Sequence, residues 1–283
     1  MPEQPDVPDV PDGPGLPDGP GLPDGPGLPE QPVPAPAPCH CRHNGPMPTA
    51  HAMNAAAPAA CVAVAHRGDP YVQRENTLPS ISSALRAGAG AVEVDVRLTR
   101  DGVPVLLHDA TLERLWGQPR ALGTLSADEL RELTGGGVPT LREALAMLPA
   151  SDGQRLFIDL PDPAAAEAAV AEVHASDAAG RVYYCAGAES MLAVRGADPE
   201  AEIALTWTTL APPRAALLDR VRPRWLNYRF GLITPALVTR NHADGYLVSA
   251  WTPDTRYTMR RLLAAGVDSI TTNRVAVLRA LLA

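Results

Sequence analysis

The chain has no lysine; all 24 of its fixed cations, in 283 residues, are arginines. Catalysis by a lysine amine is thereby excluded. Cysteine is scarce, and Cys39, Cys41, Cys61 and Cys185 have no framework spacing, so nothing supports a disulfide-stapled scaffold. Cys39 and Cys41 stand beside His40 and His43 in "CHCRHN", but that spacing is wrong for a structural zinc site. A basic stripe is missing too, which argues against a nucleic-acid groove. The apolar run from Ala55 to Ala65 is broken by Pro58 and too short to span a bilayer, so no stable membrane insertion is expected. With no basic n-region or apolar h-region at the start, the expectation is a cytoplasmic enzyme. No G-x-G-x-x-G or Walker-type loop is present.

What is present divides in two. Residues 1–60 hold 17 of the 31 prolines and the motif "PDGPGL" three times in succession, from Pro11, Pro17 and Pro23. Such a stretch cannot bury enough apolar surface to offset its ordering entropy, so a disordered tail is expected there. It also carries −6 of the chain's net charge of −8, leaving residues 61–283 close to neutral.

From residue 61 onward, short β-branched runs alternate with amphipathic helical patterns. The runs cover 61–66, 91–96, 155–160, 181–186, 202–207, 224–229, 245–251 and 268–273. "TLRE" at Thr140–Glu143 is a capping box that opens a helix. One further run, "PVLLHD" (104–109), follows the second strand after only an Asp101-Gly102 turn. Parallel strands need a crossover of a dozen or more residues, whereas a DG turn makes a hairpin. Residues 97–109 are therefore expected to form a hairpin extension. Eight β/α units remain in about 220 residues, which points to an α/β fold, a closed (β/α)8 TIM-type barrel. A doubly wound open sheet is the alternative.

In such a barrel the active site lies at the C-terminal ends of the strands. Those ends carry His66 and Arg67, then Glu93 and Asp95 two residues apart on one face, then Asp159, with His108 closing the hairpin. Trp207, Asn227, Trp251 and Asn273 follow around the rim. Buried carboxylates on apolar strands need pairing or a metal. Three on one rim suit a hard cation, Mg²⁺ or Ca²⁺. Two histidines offer an acid and a base near neutral pH, and an arginine fork suits a phosphate. Tyr183, Tyr184 and Cys185 read as core, and His174 and His242 as surface residues.

"HRG", "ENT", "EVDV", "TRDG" and "VLLHD" occur in that order between residues 66 and 109. Together they resemble the glycerophosphodiester phosphodiesterase family, within the phospholipase-C-like barrel phosphodiesterases, over roughly residues 61–283. The resemblance implies a metal-dependent phosphodiesterase that converts a small glycerophosphodiester to glycerol 3-phosphate and an alcohol. It implies His66 and His108 as the acid/base pair, and one divalent cation on Glu93, Asp95 and Asp159. Arg67 would grip the phosphate, Glu75 would support Arg67, and Trp251 would line the substrate pocket. Three departures stand out. The family's glutamate-x-lysine reads Asp159-Leu160-Pro161, its "WTVN" reads Trp251-Thr252-Pro253-Asp254, and its late "TD" reads Thr272-Asn273. Two other readings stay open: a phospholipase-D-like barrel acting on lysophospholipid or sphingomyelin, which would need an apolar barrel mouth, and a catalytically impaired phosphodiester-binding barrel.

Overall fold

A computed structural model describes residues 60–149 and 153–283. The expected tail and its Cys39–His43 cluster lie outside those residues, Ala60 apart. Among the described residues there are nine strands: β1 (Val62–His66), β2 (Ala91–Leu98), β3 (Pro104–Leu106), β4 (Arg155–Asp159), β5 (Val182–Ala186), β6 (Ile203–Trp207), β7 (Trp225–Arg229), β8 (Leu247–Trp251) and β9 (Ser269–Thr272). Eight of them pair in parallel, each with its neighbour, and β1 pairs with both β2 and β9. The sheet is therefore a closed barrel, as the alternating pattern predicts, and the open-sheet alternative falls. β3 is the exception, running antiparallel to β2 with Val96 opposite Leu106. The hairpin turns where expected. Gly102 takes φ +81°, and its N–H reaches the carbonyl of Thr99 at 3.0 Å.

Ten α-helices accompany the strands among the described residues: α1 (Leu78–Arg86), α2 (Glu113–Trp116), α3 (Ala127–Thr134), α4 (Leu141–Leu145), α5 (Ala166–Ala175), α6 (Ala188–Ala197), α7 (Ala215–Val221), α8 (Pro235–Ala243), α9 (Arg256–Ala265) and α10 (Val275–Leu282). The Thr140–Glu143 capping box opens α4 as read from the sequence, and a second, Ser126–Glu129, opens α3. The segment from β3 to α4 was not legible as a unit. It forms a small lobe with its own core of Val105, Leu107, Leu112, Leu122, Leu125, Leu130 and Val138.

Period-two alternation divides each strand between two cores. Outward side chains, such as Val92, Ile158, Tyr184 and Leu226, pack under the helices. Inward ones, including Val64, Phe157, Tyr183, Cys185 and Trp225, fill the barrel. Phe157 stacks on Tyr183 with ring centroids 4.2 Å apart. At the N-terminal end, Arg155 lies over Tyr183 and pairs with Glu202 at 2.9 Å, while the Trp225 indole donates to the same carboxylate at 2.8 Å. That end of the barrel is filled, and the polar inward residues crowd at the other. His174 and His242 are exposed on α5 and α8, as expected.

Phe157 lies two residues before Asp159 and supports the layer above it. Phe157→Ala is expected to lower unfolding stability by about 3–5 kcal/mol. Denaturant titration measures it; a loss under 1 kcal/mol would mean that this layer is not tightly packed.

Candidate active site

β1 stops on His66 because the chain must turn at once. Arg67 takes φ +59° and Gly68 φ +90°. A Cβ on Gly68 would lie 2.3 Å from Ser80 Oγ, so only glycine fits. Ser80, in α1, receives the Asp69 N–H at 2.7 Å and donates to the Arg67 carbonyl at 3.0 Å. The turn thus locked aims the Arg67 backbone N–H at Glu93 Oε2, 2.9 Å away. Arg–Gly after the histidine therefore has a local physical cause.

Glu93, Asp95 and Asp159 come together. Asp95 and Asp159 are direct register partners on β2 and β4, and each of the three residues offers an oxygen within 4.8 Å of the others. Burial, then the charges of Asp95 and Asp159, push Glu93 well above the usual carboxylate range. Burial, then Asp95, raises Asp159 to about 7. Such shifts mark negative charge that the surrounding protein does not offset. An all-oxygen, buried, under-compensated set fits a hard divalent cation, and these three residues would hold it. Cys185 beside them stays a thiol, because burial and the same carboxylates hold its ionisation well above normal.

The "ENT" loop supports this set, one residue at a time. Glu75 accepts from Arg67 Nη1 at 2.8 Å, which fixes the guanidinium. Asn76, buried at φ +54°, donates to Asp95 Oδ2 at 2.7 Å and accepts the Asp95 N–H at 3.2 Å. Thr77 caps α1. Arg67 Nε lies 3.2 Å from Asp95 Oδ2, an ion pair without hydrogen-bond alignment. The guanidinium is thus engaged by Asp95 and Glu75.

The two histidines have different backing. His66 is the register partner of Glu93, and its Nε2 lies 3.9 Å from Glu93 Oε2. Its Nδ1 is 2.7 Å from Asn273 Oδ1. Asn273 in turn gives its side-chain N–H to Asp254 Oδ2 at 2.7 Å and its backbone N–H to Oδ1 at 2.9 Å. The carboxylate accepts from the amide nitrogen, so the amide oxygen faces the imidazole, and His66 Nδ1 is the protonated nitrogen. Nε2 keeps its lone pair. Burial, then the Arg67 charge, lowers the His66 pKa and favours this neutral form. His108, at the hairpin end and 45% exposed, instead holds Asp109 at 2.7 Å through Nδ1. Arg114, from α2, binds Asp109 and Glu75 at 2.6 Å each and keeps Asp109 ionised, its pKa near 2.

An open cavity of about 480 Å³ lies over these groups, with His66, Glu93 and Asp159 on one side and Asn227, Trp251 and Thr271 on the other. Among the strand-end residues read from the sequence, these five are brought to one space: His66, Glu93, Asp159, Asn227 and Trp251. Asp95, Arg67 and Glu75 stand behind it, and His108 stands to its side through the Asp109–Arg114–Glu75 chain. Asn76, Arg114, Asp254 and the role of Asn273 were missed. The signal for Asn76 was its place in the "ENT" motif. For the pair Asp254 and Asn273 it was that both stand where the sequence departs from the family pattern.

Two outcomes follow. Asp159 has a folded-state pKa of about 7, above its ordinary 3.8. Its contribution to stability is therefore fully present below about pH 4 and lost as pH rises through about 7. In metal-free protein, the melting temperature of Asp159→Asn relative to wild type is expected to rise between pH 4 and 8, and a flat difference would refute the shift. Nitrogen NMR of the imidazole is expected to show His66 protonated at Nδ1 only, with Asp254→Ala mixing the two tautomers. An Nε2–H signal in the wild type would overturn the Asn273 assignment.

Comparisons with known proteins agree with this geometry. The model of the "Glycerophosphoryl diester phosphodiesterase family" matches residues 66–277. A Mycobacterium tuberculosis protein named "Probable glycerophosphodiester phosphodiesterase 2" is 32% identical over 246 residues, covering 77% of this chain and 89% of its own. The fold recurs in the crystal structure of a Thermotoga maritima glycerophosphodiester phosphodiesterase (TM-score 0.68, 23% identity, 78% of this chain and 98% of that one). It recurs again in an Oleispira antarctica phosphodiesterase in complex with the product sn-glycerol-3-phosphate (TM-score 0.66, 24% identity, 78% and 96%). With a family match spanning both histidines, all three carboxylates and the rim out to α10, the chain belongs to the glycerophosphoryl diester phosphodiesterase family.

Proposed function

We propose that residues 61–283 form a metal-dependent phosphodiesterase that cleaves glycerophosphodiesters to glycerol 3-phosphate and an alcohol such as choline or ethanolamine. One observation carries the reading: Glu93 and Asp159, clustered with the buried Asp95 behind them, open onto the same cavity as His66, whose Nδ1 is taken by Asn273 and whose Nε2 is left free to accept a proton. A cation held there, Mg²⁺ or Ca²⁺, supplies Lewis-acid stabilisation of phosphoryl charge.

The chain's own residues do the rest. His66 Nε2 accepts the proton of the attacking hydroxyl, and its lowered proton affinity keeps that lone pair available at neutral pH. The attacking group is the neighbouring glycerol hydroxyl, whose oxygen bonds to phosphorus as the ester bond to the alcohol breaks; water then opens the cyclic phosphate. His108, with Nδ1 held by Asp109, protonates the departing alkoxide. Arg67 carries positive charge beside Asp95 and, on this reading, turns a guanidinium edge toward the phosphate. Trp251 bounds the space for the non-phosphate part of the substrate. Pro161 also lines the cavity, where the family's usual lysine would add a cation, so that charge would have to come from the bound ion and Arg67. No helix among the described residues is long and apolar enough to cross a membrane, and the reading keeps a cytoplasmic setting and a small-molecule substrate.

The test is release of glycerol 3-phosphate from glycerophosphocholine by the full chain with Mg²⁺ or Ca²⁺. EDTA is expected to abolish turnover, and His66→Ala and His108→Ala are each expected to lower kcat roughly 10²–10⁴-fold. Absence of turnover in folded, metal-loaded protein would sink the proposal.

A further inference from the structure

We propose that half of the barrel mouth is a docking surface for the headgroup layer of an anionic phospholipid membrane. Among the described residues, four large apolar side chains are exposed: Tyr71, Val72, Leu210 and Tyr257, each by at least 63%. Singly, such residues are ordinary. These four all lie on the C-terminal face. Tyr71 and Val72 follow β1, Leu210 follows β6, and Tyr257 is the second residue of α9, just after β8. Strands β6, β7, β8, β9 and β1 are consecutive in the barrel, so the four mark one continuous arc. The partly exposed Phe230 and Leu232 follow β7 and lie on the same arc.

Charge divides the same way. Around this arc Arg214, Arg229, Arg256 and Arg274 are exposed, and the one acid between β6 and α10 at the mouth, Asp254, is bound to Thr272 and Asn273. Across the mouth, Asp162 after β4 and Glu189 at the start of α6 are exposed, and the loops that follow β4 and β5 carry no arginine. In the loop after β1, Asp69 accepts from Ser83, and Glu75 is paired with Arg67 and Arg114. Exposed aromatic and aliphatic side chains interleaved with arginines suit an anionic interface, where apolar insertion and attraction to lipid phosphates add.

The arc is also held in place. The Trp207 indole donates to the Ala211 carbonyl at 2.6 Å beneath Leu210. Arg261 donates to the carbonyls of Phe230 and Ile233 at 2.9 and 3.0 Å. The Arg274 guanidinium lies 4.7 Å from the Tyr71 ring centroid. Little ordering is left for binding to impose. The arc borders the cavity wall formed by Trp251, so docking sets the cavity mouth at headgroup level. This goes beyond the proposed reaction and does not depend on it.

Sedimentation of the full chain with vesicles tests it. One set is phosphatidylcholine; the other includes phosphatidylglycerol. Binding is expected with the second set, much weaker with the first, and reduced by salt. Arg214→Gln and Arg256→Gln are each expected to weaken partitioning about fivefold, and Leu210→Ser with Tyr257→Ser to weaken it further. Melting temperature and turnover of soluble glycerophosphocholine should not change. Lack of sedimentation with anionic vesicles, or undiminished binding by the variants, overturns the proposal. So does light scattering that shows a wild-type dimer reduced to monomer by Leu210→Ser with Tyr257→Ser, since the arc would then be a self-interface. Vesicle binding is read without catalysis, so failure of the proposed reaction leaves this result interpretable.

Discussion

Three carboxylates buried within 4.8 Å of one another are the constraint to which the rest of the mouth answers. Two like charges about 4 Å apart repel by about 4 kcal/mol at an effective dielectric near 20. One arginine does not offset three such pairs, and burial together with this repulsion raises the pKa of Glu93 and of Asp159. The neighbouring structure manages this repulsion. Gly68 and Ser80 shape the turn that brings a backbone N–H to Glu93; Asn76 satisfies Asp95 twice; Glu75 holds Arg67 against Asp95. Each device is short in sequence and specific in geometry.

The same arrangement separates the two histidines chemically. An amide backs His66 and leaves the carboxylate of Asp254 one hydrogen bond further away. A carboxylate backs His108 directly, and Arg114 links it to the arginine–carboxylate chain behind the cavity. Two residues of one type thus differ in exposure and in hydrogen-bond partner.

Much of this was legible beforehand. Strand ends that break an apolar run with His, Glu or Asp declare themselves, and the Asp101-Gly102 turn separates hairpin from crossover without structural help. The role of Asn76 was not legible, because the "ENT" motif marks its position but not its φ or its partner on β2. The Asp254–Asn273 relay depends on two residues 19 apart meeting over a neighbouring strand end. Arg114 belongs to a lobe whose core is assembled from residues too scattered to show periodicity. The apolar arc was invisible for another reason: exposure is a property of the folded surface, and Tyr71, Leu210 and Tyr257 are far apart along the chain.

The filled lower end of the barrel has its own consequence. Arg155, Glu202 and Trp225 close it, and the stacked rings of Phe157 and Tyr183 fill the layer above. The cavity therefore has no rear exit. Whatever enters past Trp251 must leave by the same way, so arrival and departure are mutually exclusive events. A released fragment that lingers blocks the next arrival by occupancy alone, and traffic through this mouth is one-lane.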